Sequence, residues 1–196
     1  MPDLFEIQDA LTEIKTALEE AITEGGEEEK TALIRSQKLI KRIHESVKSE
    51  FIKAGVDSEN IKPRLGLSEG ELKLAGFFKK KDQDICIVPN DLYEKEEFSD
   101  SGLLLGEKDR YGKEYTEHII SVNIRSQLSS LAKNFDTLYE RTFAESLNLH
   151  MRCPKMCLGE VYMIPVCEYD THAAQEKKIA FADRISSIEK YLMASI

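Results

Sequence analysis

The sequence predicts an α/β fold with a mixed central sheet flanked by helices, preceded by an N-terminal helical pair. Two amphipathic helical stripes come before residue 55, and short apolar runs follow between residues 71 and 166. A helical stripe separates the last two of these runs. A strand–helix–strand passage within one sheet implies a parallel crossover, whereas the earlier runs are close enough in sequence to form a meander. The two kinds of connection together predict a mixed sheet.

The bulk composition is that of an ordinary folded domain. The chain has 196 residues, of which 41% are hydrophobic and 32% charged, and this balance argues against disorder. No apolar run approaches the length of about 20 residues that a membrane span needs, and the N-terminus lacks the pattern of a signal peptide. We therefore expect a cytoplasmic protein with no membrane partner. A net charge of −9 argues against coating nucleic acid through the overall field, but a local basic cleft remains compatible with it.

The N-terminal part carries two helical stripes. The first, over 3–24, consists of apolar residues at intervals of three and four: Leu4, Ile7, Leu11, Ile14, Leu18 and Ile22. Gly25 and Gly26 end it. A second helix is predicted at about 28–55, with an apolar side formed by Leu33, Leu39, Ile40, Ile43, Val47 and Phe51. Because the connection is short, we predict an antiparallel pair over 1–55, packed on an α/β core over 56–196.

The predicted core alternates strands and helices. Strands are predicted at 71–78, 84–89, 118–125 and 158–166, and helices at 131–149 and 173–193. Loop residues Pro63, Gly66 and Gly70 come before the first strand, and the polar stretch KKKDQ separates the first two strands. Residues 90–117 are polar and are predicted to form a long excursion, a feature that is often functional or mobile.

The four cysteines are expected to be reduced. Cys86 and Cys167 lie in apolar strand-like runs, where a free cysteine behaves as a small buried hydrophobe. Cys153 and Cys157 have only His150 near them in sequence, which is a weak pattern for zinc. Structural thiols are the favoured interpretation.

One strand places two polar residues on a single face. In SVNIRSQ, Asn123 and Arg125 are two positions apart, so their side chains point the same way. Either they face solvent or they line a site. Asp84 opens the preceding strand, where it would cap a turn or join that site, and Glu140 and Glu145 lie on the following helix.

These residues resemble a known family. The stretches GFFKKKDQDICIV (76–88), IISVNIRSQ (119–127) and NFDTLYER (134–141) are similar to the active-site region of type II restriction endonucleases of the PD-(D/E)XK nuclease superfamily. The resemblance covers roughly residues 70–166 and extends to the Ser-Gln after the strand and the Asn-Phe of the helix. The motif is atypical, because Asn123 stands where the family has an acid and Arg125 where it has lysine.

The resemblance implies a restriction-endonuclease-like core and a Mg²⁺-dependent type II site-specific deoxyribonuclease that hydrolyses phosphodiester bonds in double-stranded DNA. It assigns Asp84 and Glu140 as carboxylate ligands of the metal, Asn123 as a neutral third ligand, and Arg125 to the scissile phosphate. Asparagine ligates a metal ion without contributing charge. Arginine keeps the positive charge but cannot give up its proton to activate water.

The resemblance also implies partners. Such enzymes act as dimers, so we expect a homodimer, or a subunit of a heteromeric nuclease, on duplex DNA. The candidate DNA-binding residues are Lys79, Lys80, Lys81, Gln127, Lys38 and Arg42. Two other hypotheses remain open. The first is a catalytically decayed protein of the same fold that binds DNA or a partner subunit without cutting, and the second is an unrelated metabolic or regulatory α/β protein, which the acidic net charge favours.

Overall fold

Helices and short strands alternate along the chain. The computed structural model describes residues 4–128, 131–169 and 181–183. Its helices are α1 Ile7–Arg35, α2 Lys38–Lys53, α3 Lys113–Glu117 and α4 Leu131–His150. Its strands are β1 Ile61–Lys62, β2 Leu72–Ala75, β3 Lys80–Gln83, β4 Ile85–Ile87, β5 Glu97–Phe98, β6 Lys108–Asp109, β7 Ile120–Ser126, β8 Cys157–Met163, β9 Cys167–Tyr169 and β10 Phe181–Asp183.

The N-terminal helices bend twice. Gly26 interrupts α1 with φ 63° and ψ −137°, as the glycine pair predicts. Ala17 and Leu33 line the same cavity on either side of this break, so the chain folds back on itself there. The single second helix predicted at 28–55 is wrong, because Gln37 adopts φ 61° and separates α1 from α2. Ser36 favours this break, since its hydroxyl donates to the Leu33 carbonyl and accepts from the Lys38 N–H.

The chain divides into two compact units. The first unit comprises residues 48–124 and 140–161, and the described part of the second comprises 4–47, 125–128, 131–139, 162–169 and 181–183. The boundary near the N-terminus therefore lies inside α2, between Val47 and Lys48, whereas the sequence places a boundary at residue 55. No helix among the described residues is long and apolar enough to cross a membrane.

A mixed four-stranded sheet with the order β1-β4-β7-β8 organises the first unit. β4 is antiparallel to both β1 and β7, and Ile85 pairs with Val122 in the latter ladder. β7 and β8 are parallel. Gly159 lies against Val122, and the next residue on each strand forms the following contact, the hydrogen bond between Asn123 and Glu160. This parallel pair on either side of α4 confirms the predicted α/β class with its mixed sheet. β1 was not predicted, because it has two residues and precedes Pro63.

The lysine-rich stretch before Asp84 forms a strand. β3 pairs antiparallel with β2, and Leu74 lies opposite Lys81. The predicted polar interruption is therefore wrong. A strand of charged residues is stable here because most of its side chains stay at the surface, while the inward-facing Gln83 is buried and accepts a 2.8 Å hydrogen bond from the Ser121 hydroxyl.

The predicted excursion at 90–117 contains regular structure. β5 and β6 form an antiparallel pair in which Glu97 lies opposite Asp109, and α3 follows. The buried guanidinium of Arg152 holds this pair to the rest of the first unit. It lies 2.8 Å from Asp109 and donates a 3.1 Å hydrogen bond to the Ala75 carbonyl in β2.

The C-terminal prediction is only partly covered. α4 confirms the helix predicted at 131–149, and β8 confirms a strand within 158–166. Of the helix predicted at 173–193, residues 173–180 and 184–193 lie outside the described residues. Residues 181–183 form β10, which pairs antiparallel with β9, so the helix is wrong at these positions. The β9 backbone supplies the hydrogen-bond partners there, and such tertiary pairing overrides a helical pattern.

The thiols divide by location. Cys86 and Cys153 are buried in the core of the first unit, with apolar neighbours Leu74, Tyr111, Tyr115, Ile119, Leu149 and Met156. Burial raises the pKa of Cys86 to about 12 and that of Cys153 to about 11. Cys157 and Cys167 are exposed, so the prediction that Cys167 is a buried hydrophobe is wrong. The apolar run around Cys167 is the short strand β9.

Candidate functional site

Asp84 is the single residue between β3 and β4. β3 forms a two-stranded hairpin with β2, whereas β4 belongs to the four-stranded sheet. The Asp84 carboxylate accepts a 2.6 Å hydrogen bond from the backbone N–H of Ile124 in β7. The last pair of the β4–β7 ladder is Ile85 with Val122, so the next step of the register places Asp84 opposite Asn123. Asp84 therefore connects two strands and does not simply cap a turn.

Asn123 is buried, with 6% of its surface exposed, so the solvent-facing interpretation is wrong for this residue. Its side-chain amide donates a 3.2 Å hydrogen bond to the carboxylate of Glu160 on β8. Glu160 was not among the site residues predicted from the sequence. A signal was present, because LGEVYM places a single acid inside an otherwise apolar strand. A half-buried acid in such a position needs a polar partner, and Asn123 provides it.

Glu71 extends the arrangement on the other side. Leu72 pairs with Gln83 in the β2–β3 hairpin, so the next step of that register places Glu71 opposite Asp84. Partial burial and the nearby carboxylates of Asp84 and Asp82 raise the pKa of Glu71, while Lys48 and Lys81 act in the opposite direction. Glu71 before β2, Asp84 between β3 and β4, Asn123 on β7 and Glu160 on β8 are therefore neighbours in turn. We call these four residues the polar row.

The other predicted carboxylates lie on α4. Glu140 is exposed to solvent, and Glu145 forms an ion pair with Lys81. Among the described residues, no three His, Cys, Asp or Glu side chains lie close enough together to hold a metal ion. The assignment of Glu140 as a metal ligand stays a prediction.

The polar row offers oxygen ligands for a metal ion, with an amide in place of a third acidic residue. Asp84, Asn123 and Glu160 provide two carboxylates and one amide oxygen. Magnesium prefers oxygen ligands, and it is commonly held by one or two carboxylates with water and substrate phosphate completing the shell. These residue types therefore fit Mg²⁺.

Arg125 and Gln127 belong to the second unit. Arg125 is half-buried in β7, and Gln127 follows the strand and donates its backbone N–H to the Met163 carbonyl at 3.0 Å. Their roles at a phosphate stay predictions from the sequence.

The candidate DNA-binding cations are partly neutralised. Lys80 pairs with Glu107 at 3.2 Å, Lys81 pairs with Glu145, and Arg42 pairs with Glu13 at 3.0 Å. The side chains of Lys79 and Lys38 are exposed and form no ion pair within the described part of the chain. Accessible positive charge is therefore sparse among these candidates, and Lys79 lies at the turn between β2 and β3, at the opposite end of these strands from Asp84.

Comparison with models of known protein families, with curated proteins and with solved structures finds no match for this chain.

Proposed function

We propose that this protein is a Mg²⁺-dependent DNA endonuclease of the restriction type, which hydrolyses phosphodiester bonds in duplex DNA at the polar row. The observation that carries the proposal is a pair of hydrogen bonds at adjacent residues of β7: the Ile124 N–H donates to Asp84, and the Asn123 side chain donates to Glu160 on β8. The resemblance of residues 76–88 and 119–127 to restriction endonucleases supports the choice of substrate.

Asp84 and Glu160 are the carboxylates that would hold Mg²⁺. Asn123 donates to Glu160 through its amide nitrogen, which leaves its carbonyl oxygen available as a neutral third ligand. When bound, the ion polarises the phosphate and lowers the pKa of bound water. The hydrogen bond from Ile124 fixes the orientation of the Asp84 carboxylate that would hold the ion. Arg125, assigned from the sequence, would stabilise the negative charge that develops on the phosphate.

A plasmid-cleavage assay with and without Mg²⁺ tests the proposal. The wild type should convert supercoiled DNA to nicked or linear forms only when Mg²⁺ is present. Glu160→Gln keeps the size of the side chain and its hydrogen bond with Asn123, but removes a charge from the metal site, so we expect cleavage to fall at least about a hundredfold. Glu140→Gln is the matched control on α4, and it should leave cleavage unchanged if the polar row supplies the ligands.

A second measurement checks metal binding without cleavage. Tb³⁺ or Mn²⁺ titration of the wild type should saturate, and Asp84→Asn and Glu160→Gln should each weaken that binding. If Glu140→Gln lost metal binding while Glu160→Gln kept it, the second carboxylate ligand would be Glu140 on α4 and not Glu160.

A catalytically decayed nuclease that binds DNA without cutting is the second candidate. Asn123 favours it, because a neutral amide replaces an acid at the centre of the motif and gives the metal less negative charge. A wild type that shifts duplex DNA in a gel with Ca²⁺ but never cleaves it with Mg²⁺ would establish this candidate. The double variant Asn123→Glu with Arg125→Lys should then gain cleavage.

Cutting both strands of a palindromic site needs two copies of the active site, so the proposal includes a homodimer. Light scattering after size-exclusion chromatography, with and without a duplex of about 20 base pairs, would give the mass of the complex. A 1:1 complex with duplex DNA that cuts only one strand would contradict the dimer.

A further inference from the structure

One buried asparagine, Asn148, makes four hydrogen bonds to the turn that joins β2 to β3, residues 76–79. We call this turn the hairpin tip. The Asn148 side chain accepts hydrogen bonds from the N–H groups of Phe78 at 2.8 Å and Lys79 at 3.1 Å, and it donates to the Lys79 carbonyl at 3.1 Å. The Asn148 carbonyl accepts a fourth bond, of 2.6 Å, from Phe77. Asn148 is 2% exposed, so these bonds are shielded from water.

Two glycines let other parts of the first unit approach the hairpin tip closely. A Cβ atom on Gly76 would collide with the Asn148 side chain, and one on Gly102 would collide with the Phe77 carbonyl. That carbonyl accepts a 2.8 Å hydrogen bond from the Leu103 N–H. The backbone of the hairpin tip is therefore fixed from two sides, by the end of α4 and by residues 102–103.

This fixed backbone presents an aromatic ring and a cation together. Phe78 is 39% exposed and rests edge-on against Phe77, with ring centroids 5.1 Å apart. The Lys79 side chain is exposed and has no ion-pair partner in the part of the chain that the structure describes. The next two lysines along β3 are paired with glutamates, so the accessible charge is concentrated beside Phe78.

We propose that the hairpin tip is a DNA contact, in which Phe78 stacks on a base at a distorted step of the duplex and Lys79 neutralises a phosphate. The proposal rests on the proposed function for its choice of partner. Apolar side chains that insert at base steps, and aromatic rings that stack on bases, are recurrent contacts in DNA-binding proteins. A ring on a fixed backbone loses little further freedom on binding, which favours affinity. In a chain of net charge −9, attraction to DNA has to come from local cations such as Lys79.

Fluorescence anisotropy with a labelled duplex tests this, with Ca²⁺ in place of Mg²⁺ so that binding is measured without cleavage. Phe78→Ala should weaken binding about tenfold or more, the scale of one base–aromatic stack. Phe78→Tyr keeps the aromatic face and should bind like the wild type, whereas Phe78→Leu keeps an apolar side chain without the face and should bind like Phe78→Ala. Lys79→Ala should reduce the slope of log K against log salt by about one phosphate contact.

Tyr93→Ala is the matched control, because Tyr93 is 87% exposed in the same unit and lies outside the hairpin tip. Its binding should equal that of the wild type. Since Phe78 is exposed, its variants should keep the wild-type circular dichroism spectrum and melting temperature. If folded Phe78→Ala binds as tightly as the wild type, or if Phe78→Leu does, the stacking contact is refuted while the nuclease proposal stands. If the wild type binds no duplex at low salt, the nuclease proposal fails and the contact fails with it.

Discussion

The backbone N–H of Ile124 donates a hydrogen bond to the carboxylate of Asp84 across the boundary between β4 and β7. The Asp84 side chain thus accepts a hydrogen bond from a buried backbone N–H of β7 and also places a negative charge in the polar row. A substitution can separate these two roles, because any oxygen acceptor keeps the hydrogen bond whereas binding of a metal ion depends on the negative charge.

Substitution of Asp84 should separate these roles. Asp84→Asn retains an oxygen that accepts from Ile124, so we expect the free energy of unfolding to change by less than about 1 kcal/mol while Mg²⁺-dependent cleavage falls at least about a hundredfold. Asp84→Ala leaves the Ile124 N–H without its partner and should lower the free energy of unfolding by about 1–3 kcal/mol as well. Urea denaturation and plasmid cleavage measure the two effects. Equal cleavage by the wild type and Asp84→Asn would show that this carboxylate does not take part in the reaction.

Arg125 is the second test of the nuclease proposal. Arg125→Lys restores the residue that the restriction endonuclease motif carries and keeps the positive charge, so cleavage should be retained or increased. Arg125→Ala removes the charge and should reduce cleavage by on the order of a hundredfold. Initial rates at saturating DNA measure this directly. A rate for Arg125→Ala equal to that of the wild type would remove Arg125 from the site.

The ion pair between Arg152 and Asp109 should dominate the stability of the 90–117 region. Their side chains are 1% and 2% exposed, and Arg152→Met would leave the Asp109 carboxylate buried without a cation. We expect the free energy of unfolding to fall by about 3–5 kcal/mol. Lys108→Ala is the control, because Lys108 and Glu96 form an exposed pair of similar length and should contribute less than about 1 kcal/mol. Comparable losses from both variants in urea denaturation would contradict this ranking.

The thiols should differ in reactivity. Burial raises the pKa values of Cys86 and Cys153, so these residues stay protonated at pH 8 and react slowly, whereas the exposed Cys157 and Cys167 react quickly. A thiol-titrating disulfide reagent should therefore count two fast thiols in the native protein and four in denaturant. Four fast thiols in the native protein would show that the core opens readily.

The same pKa shifts predict a loss of stability in alkali. Above a pH of about 9 the unfolded chain releases the protons of Cys86 and Cys153, while the folded chain keeps them because its thiol pKa values are higher. The unfolded state then binds fewer protons than the folded state, so the free energy of unfolding decreases as the pH rises. Urea denaturation at pH 8 and pH 10, with Cys86→Ser as the comparison, would show whether the slope depends on this thiol.

Strong periodicity and local chemistry account for what the sequence predicted well. The break at Gly26, the strand around Asn123 and the helix of residues 131–150 follow from glycine geometry, β-branched residues and apolar spacing. These signals act within a few residues, so a single sequence carries them. The mixed sheet followed from the order of the elements.

Tertiary contacts account for what the sequence missed. β3 is a strand because β2 pairs with it, although Lys80 and Lys81 have little preference for strands. Glu71 and Glu160 lie beside Asp84 and Asn123 in the fold but not in the sequence. Strand register and a hydrogen bond between strands, which the sequence does not show, bring them there. The resemblance to restriction endonucleases predicts a different second carboxylate, Glu140 on the helix.

The continuity of β3 and β4 restricts where the chain tolerates a change of length. Residues 80–87 serve two different sheets with only Asp84 between them. One residue inserted in this stretch would turn the side chains that follow it in β3 or β4 to the opposite face, or move Asp84 away from Ile124. Tyr93 lies in no strand and is 87% exposed, so a residue inserted beside it shifts no strand register. A peptide tag or fluorescent reporter should therefore be accepted there and rejected in 80–87, which gives a practical site for labelling the protein without disturbing the polar row.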